Sequence, residues 1–191
     1  MPHRAGLDQA TVIEAAARLI DEEGIEQLSL ARLAERLGVR TPSLYNHVAG
    51  LAGLKQDLAV HCSREVLARL TRAAVGKAGT EAIFSIADAY RDYALHSAGR
   101  YALTLQSPQP DNQELQDIAR QIIEVVQAIL APYKLSEEQS IHAIRGLRSI
   151  IQGFVSLEVR GGFGLPTDLN SSFHWLIGTF IAGLEQQNST T

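Results

Sequence analysis

Between Ser29 and Lys55 the chain gathers side chains suited to holding a polyanion and hydrogen-bonding along it. These are Arg40, Ser43, Tyr45, Asn46, His47 and Lys55. Hydroxyl, amide and imidazole groups supply donors and acceptors together, and guanidinium and ammonium groups neutralise phosphates. Residues 27–56 hold four basic side chains, Arg32, Arg36, Arg40 and Lys55, against the single acid Glu35. The chemistry implied is non-covalent recognition of nucleic acid.

Such groups need a rigid mount, and the spacing of apolar residues provides one. Leu30, Leu33, Ala34 and Leu37 recur at helical intervals, predicting a short amphipathic helix over 30–37 with Ser29 as its N-cap. Gly38 ends it where a left-handed residue is favoured, and Val39 follows as a buried hinge. Thr41 and Pro42 restart the chain as cap and first helical residue. The second helix runs to about Val48, with Leu44 and Val48 as its anchors. Small Ala34 sits where two helices joined so tightly would nearly touch. This is a helix-turn-helix pattern. An αα-hairpin within an ordinary core shares the Gly turn and the apolar spacing, but not the local excess of basic and hydrogen-bonding groups.

The stretches VIEAAARLIDEEGIEQLSL, LARLAERLGV and TPSLYNHV, in that order and spacing, resemble the N-terminal domain of the TetR/AcrR family of bacterial transcriptional regulators. The resemblance implies a first helix from about Asp8 to Glu23, a second over 30–37 and a recognition helix over 41–48. By the same resemblance, Thr41, Pro42, Ser43 and Tyr45 face the major groove or its flanking phosphates. His47 matches a backbone-contacting position, and Ser29 matches a phosphate-contacting hydroxyl. The chain departs from the family at the start of the fourth helix, where many members carry Lys. Here the run is Ala49-Gly50-Leu51-Ala52-Gly53-Leu54, with Lys55 only afterwards.

Composition sets wider bounds. The 191 residues are 46% hydrophobic and 20% charged, as in an ordinary globular protein. No run of about 18 apolar residues suits a membrane span, no signal peptide is read at the start, and the cytoplasm is the expected location. One cysteine, Cys62, leaves no internal disulfide or multi-Cys metal site; it reads as a small core residue or a redox sensor. The net charge of −4 is awkward for a DNA binder, since residues 1–60 hold six basic and eight acidic groups. Asp21, Glu22, Glu23 and Glu26 bunch at the end of the first helix. Were that end turned from DNA, the four basic residues named above would be left for phosphates. One copy would touch too little DNA for specificity; two copies about 34–36 Å apart on successive major grooves would suffice.

The remainder reads as helical throughout, so the expected fold is all-α with about nine helices. A helix-turn-helix domain over 1–50 would precede an effector-binding and dimerisation domain over 51–191. Helices are expected near 51–75, from Thr80 to about 97, 99–105, 113–130, from a Ser136–Gln139 capping box to about 160, and 168–185. A turn-rich loop is expected over 107–112, and a frayed tail over 186–191. The last two helices are apolar over much of their surface, which suggests a subunit interface. Its candidates are Ile144, Leu147, Ile151, Phe154, Phe173, Leu176, Ile177, Phe180, Ile181 and Leu184. Two copies would give a homodimer with a four-helix bundle, against the alternative that these helices enclose a monomer core.

LRSIIQGFVSLE followed by GGFG resembles a TetR subgroup named for a Trp-His-Gly motif, although Ile151, Gln152 and Gly153 occupy the motif here. A small-molecule effector site, if present, is expected among the fifth to eighth helices. Its candidates are Phe84, Tyr90, Tyr93, Tyr101, Ile118, Ile122, Arg145 and Gln152; the Tyr and Phe residues also read as ordinary core, and Arg145 as a side chain that exits to solvent, pairs with a carboxylate or awaits an anionic ligand. His96, His142 and His174 lack metal-ligand spacing, so neither metal nor cofactor is expected. Walker, GxGxxG, HExxH and GxSxG motifs are absent, and GGFGLP follows no strand. The expected function is a ligand-responsive repressor that binds a palindromic double-stranded DNA operator. An enzyme assembled across helices and a helical adaptor remain as alternatives.

Overall fold

Asp8 starts the first helix: its carboxylate accepts from the Thr11 amide at 2.8 Å, satisfying a donor that every helix N-terminus leaves open. The computed structural model describes residues 7–105 and 108–189. Among the described residues the chain forms nine α-helices and two 310 turns, and no strand. The helices are α1 (Gln9–Glu23), α2 (Leu30–Leu37), α3 (Thr41–Leu44), α4 (Gly50–Ala74), α5 (Gly79–His96), α6 (Ala98–Leu103), α7 (Gln113–Leu130), α8 (Glu137–Val159) and α9 (Leu169–Ser189). The all-α fold expected from apolar periodicity is the one observed.

Small differences have local causes. Thr80 does not cap α5, which begins at Gly79; its hydroxyl instead lies 3.1 Å from the Tyr133 hydroxyl. The capping box at α8 forms as expected, with Ser136 and Gln139 each satisfying the other's amide. The helix carries on through Ser189 where a frayed tail is expected, and Thr190 and Thr191 lie outside the described residues. Of the expected loop over 107–112, Ser107 also lies outside them. No helix among the described residues is long and apolar enough to cross a membrane.

Packing divides the chain into two units, residues 1–64 with 97–115, and residues 65–96 with 116–191. The first therefore takes in the early part of α4 and all of α6, segments that a boundary at residue 50 assigns to the second. Its core is closed by Val12, Ala16, Leu19, Ile20, Leu33, Leu44, Leu54 and Leu58, all inaccessible or nearly so. Cys62 is fully buried, which fits the core role better than the sensor role. Helix α6 is pressed against α1 so closely that a Cβ on Gly99 would sit 2.1 Å from the Ile20 carbonyl oxygen. Arg100 holds the contact from its side chain, with Nε 2.7 Å from Asp21 Oδ2, and from its amide, 3.0 Å from Asp21 Oδ1.

In the second unit α5, α8 and α9 pack on one another around Ile83, Ile86, Tyr93, Leu147, Val155, Phe173 and Ile177. One charged group is drawn into this packing. Arg91, 8% exposed, donates from Nε and Nη2 to the Glu158 carboxylate at 2.6 and 2.5 Å, and from Nη1 to Asn170 at 2.8 Å. Its guanidinium lies over the rings of Phe154 and Phe173, and the hydrogen bonds to Glu158 push its pKa further up. A buried pair adds little net stability, but any packing that separates its members is heavily penalised. The triad thus fixes α5, α8 and α9 in one mutual arrangement.

Candidate nucleic-acid interface

The segment 28–48 folds as its residue types dictate. Ser29 caps α2 by accepting from the Arg32 amide at 3.3 Å. Gly38 takes the left-handed conformation with φ +66°, and the Val39 amide returns to the Ala34 carbonyl at 3.0 Å, closing a tight helix end. Leu33, Ala34, Leu44 and Val48 are buried and lock the turn to the core.

Two details differ from expectation. Arg40, not Thr41, takes the N-cap position of α3, and Thr41 is its first helical residue. Regular helix also stops at Leu44, because the Leu44 carbonyl accepts from both the His47 and Val48 amides, at 2.9 and 3.0 Å. Such a shared acceptor tightens the final turn. Tyr45, Asn46 and His47 therefore stand on a turn that continues α3. Tyr45 is 61% exposed although apolar over most of its surface. Arg40, Pro42, Asn46 and Lys55 are exposed as well, while Ser29, Thr41, Ser43 and His47 are half-buried. Asp8, whose pKa is held down first by the hydrogen bond with Thr11, also feels the charge of His47.

The acidic end of α1 lies against the basic side chains of α2. Arg32 lies 2.9 Å from Glu23 and 2.6 Å from the Gln27 side-chain oxygen, and Arg36 pairs with Glu22. Both arginines are thus engaged within the unit. Arg40 and Lys55 are the exposed cations of the segment outside these pairs.

A capped helix, a left-handed glycine turn and a short second helix presenting an exposed aromatic and hydroxyls make a helix-turn-helix, and comparison with known proteins agrees. Residues 12–48 match the family described as bacterial regulatory proteins, tetR family, and residues 83–180 match the tetracyclin repressor-like C-terminal domain. The chain belongs to the TetR family of transcriptional regulators. Its relatives include YobS, described as an HTH-type transcriptional regulator, from Bacillus subtilis (strain 168), 35% identical over 96% of each chain. A class D tetracycline repressor from Escherichia coli is 43% identical, over only 34% of this chain and 28% of its own. Among solved structures, a TetR variant from Acinetobacter baumannii AYE in complex with minocycline superposes with a TM-score of 0.70. It is 25% identical and covers 95% of this chain and 98% of its own.

The residues expected to bind an effector are only partly brought together in this TetR-family chain. Tyr90 and Gln152 meet across α5 and α8, with Gln152 Nε2 3.2 Å from the Tyr90 hydroxyl. Half-buried Phe84 packs edge-on against His174, while Ile118 is buried and Ile122 half-buried along α7. Tyr93 is closed in the core, its hydroxyl 3.1 Å from Glu65. Tyr101 belongs to the other unit, and Arg145 is exposed on α8. The three histidines each pair with an acid: His96 with Asp92, His142 with Glu138, His174 with Asp88.

Of the expected interface residues, Leu147, Ile151, Phe154, Phe173, Ile177, Ile181 and Leu184 are buried within the chain's own second unit. Half-buried Phe180 lies over Gly146, where a Cβ would meet its ring at 3.3 Å; Ile144 and Leu176 are also half-buried. The periodicity of α8 and α9 marks the faces joining these helices to each other and to α5. The surfaces left exposed carry Ile141, Arg145 and Arg148 on α8, and Trp175, Thr179 and Ala182 on α9. Sequence reasoning missed the Arg91–Glu158–Asn170 triad and the Asp21–Arg100 contact. Their partners lie 67 and 79 residues apart, and no local pattern announces them.

Proposed function

We propose that this chain is a one-component repressor that binds a palindromic operator as a homodimer and is released by a small molecule. The observation that carries DNA reading is the run from Arg40 to His47 that follows the left-handed Gly38 turn, in which Arg40, Pro42, Tyr45 and Asn46 are exposed. Ser29, Thr41, Pro42, Ser43 and Asn46 supply the remaining contacts, and Arg40, His47 and Lys55 engage phosphates. Two recognition segments are needed because one presents too few groups for a specific site; a dimer reads half-sites about one helical turn apart. The second copy docks on the exposed face of α8 and α9, where Trp175 is 73% exposed. The regulator works in the cytoplasm.

Support for an effector comes from the minocycline complex of the related TetR variant and from the polar Tyr90–Gln152 pair on mostly apolar helices. The effector class here is an amphipathic small molecule held by Phe84, Tyr90, Ile118, Ile122 and Gln152. Ligand and operator antagonise each other reciprocally, which requires a ligand that discriminates strongly between the two states. No catalytic role is assigned.

The test is selection of bound sequences from a randomised DNA pool, followed by anisotropy on the recovered duplex. Recovery of a palindrome, with Tyr45→Ala weakening binding at least about tenfold and leaving thermal stability unchanged, is the expected result. Failure to enrich any sequence at low salt sinks the reading.

A further inference from the structure

Ser29, Arg32 and Arg36 are three and seven residues apart, so they share one stripe of α2. In a helix-turn-helix the first helix crosses the DNA backbone, and two arginines beside a hydroxyl are what such a crossing uses to hold phosphates. Yet each arginine on this stripe faces a carboxylate from the end of α1. Glu23 sits 2.9 Å from Arg32, Gln27 accepts from the same guanidinium at 2.6 Å, and Glu22 pairs with Arg36. These side chains are roughly a third to a half exposed. Ion pairs so exposed contribute little to stability, so they are poorly explained as devices for holding α1 to α2. Buried Val12, Leu19, Leu33 and Ala34 already do that.

We infer that Glu22 and Glu23 are specificity residues of the DNA-binding unit: they cancel the two cations of α2, keep affinity for arbitrary duplex low, and leave recognition to the uncharged groups and Arg40. This rests on the DNA-reading function proposed above. The cancellation does not require the pairs to stay closed. If a phosphate draws Arg32 or Arg36 away, the abandoned glutamate remains well within a Debye length of about 8–10 Å. Its repulsion then offsets the new contact. The net number of phosphates neutralised, which sets non-specific affinity and its salt dependence, is therefore small in either arrangement.

The experiment compares four full-length proteins on a random-sequence duplex across a salt series. They are the wild type, Glu22→Gln/Glu23→Gln, Arg32→Gln/Arg36→Gln, and the quadruple variant. A Glu81→Gln/Glu124→Gln protein, altered at exposed acids of the other unit, controls for net charge. The glutamate double variant is expected to bind at least about tenfold tighter at low salt. Its plot of log K against log salt should steepen by up to about 1.8 per chain engaged, about 0.9 for each arginine released to a phosphate. The arginine double variant should differ little from wild type, and the quadruple variant should lose the gain. An unchanged salt slope in the glutamate variant, an equal gain in the control, or a large loss from the arginine variant alone each overturns the inference. Sequence selection with the same proteins separates this from the parent reading. A protein that enriches no operator fails as a repressor, while its salt slope on random duplex still decides what Glu22 and Glu23 do.

Discussion

Asp168 shows how much a single side chain near a helix start can carry. Its carboxylate accepts from the Ser171 amide at 2.7 Å. That backbone bond, then the Ser171 side chain, and more weakly the Arg91 charge, hold its pKa below the ordinary carboxylate value. A depressed folded-state pKa means the unfolded chain binds the proton first as pH falls. The contribution of Asp168 is therefore complete above about pH 4, near the unfolded value, and is lost as pH drops through the lower folded value. Asp168→Asn is expected to shift the urea midpoint at pH 6 while flattening its decline between pH 4 and 2, measured by circular dichroism. Parallel acid limbs in the two proteins would remove Asp168 from the account. Local chemistry of this kind is what a sequence discloses well. The Ser136–Gln139 box, the Ser29 cap and Gly38 all depend on neighbours within four residues. Arg91 does not, and its role became visible only when α8 and α9 brought Glu158 and Asn170 to it.

Among the elements, α6 is the one that its own sequence explains least. Gly99 looks like a helix-breaking residue in a short, weak helix, yet it is the point where backbone meets backbone. Gly99→Ala has no room to relax, because the obstruction is the Ile20 carbonyl rather than a flexible side chain. Overpacking typically costs about 1–3 kcal/mol and more where backbone must move. We expect a loss at the upper end of that range or beyond in chemical denaturation, against a much smaller effect for Gly164→Ala, where nothing lies within 4 Å. The existence of α2, α7 and α8 was legible from apolar period and caps, and that of α1 from the family resemblance. The docking of α6 was not, since it depends on the absence of a side chain. What covers the faces of α8 and α9 is not legible for a related reason: periodicity reports that a stripe is covered, but not by which partner.

At the scale of the molecule, the proposed dimer pairs the exposed face of α8 and α9 with the same face of another copy so that two recognition segments act together. A standard interface removes roughly 800 Å² from each partner, and large aromatic residues dominate such contacts. Trp175→Asp is expected to raise the dimer dissociation constant at least about a hundredfold in sedimentation and to weaken operator binding with it, while helicity stays unchanged. A stable dimer in that variant would place the interface elsewhere. The return of residues 97–115 to the first unit has a consequence for how this regulator can be taken apart or recombined. The DNA-reading unit is not a contiguous cassette. Cutting after residue 64 would strip α6 from the end of α1, uncover the Ile20 carbonyl and leave Asp21 without Arg100. Grafting another recognition module onto this protein therefore calls for two splices, one in α4 and one that replaces 97–115 as well.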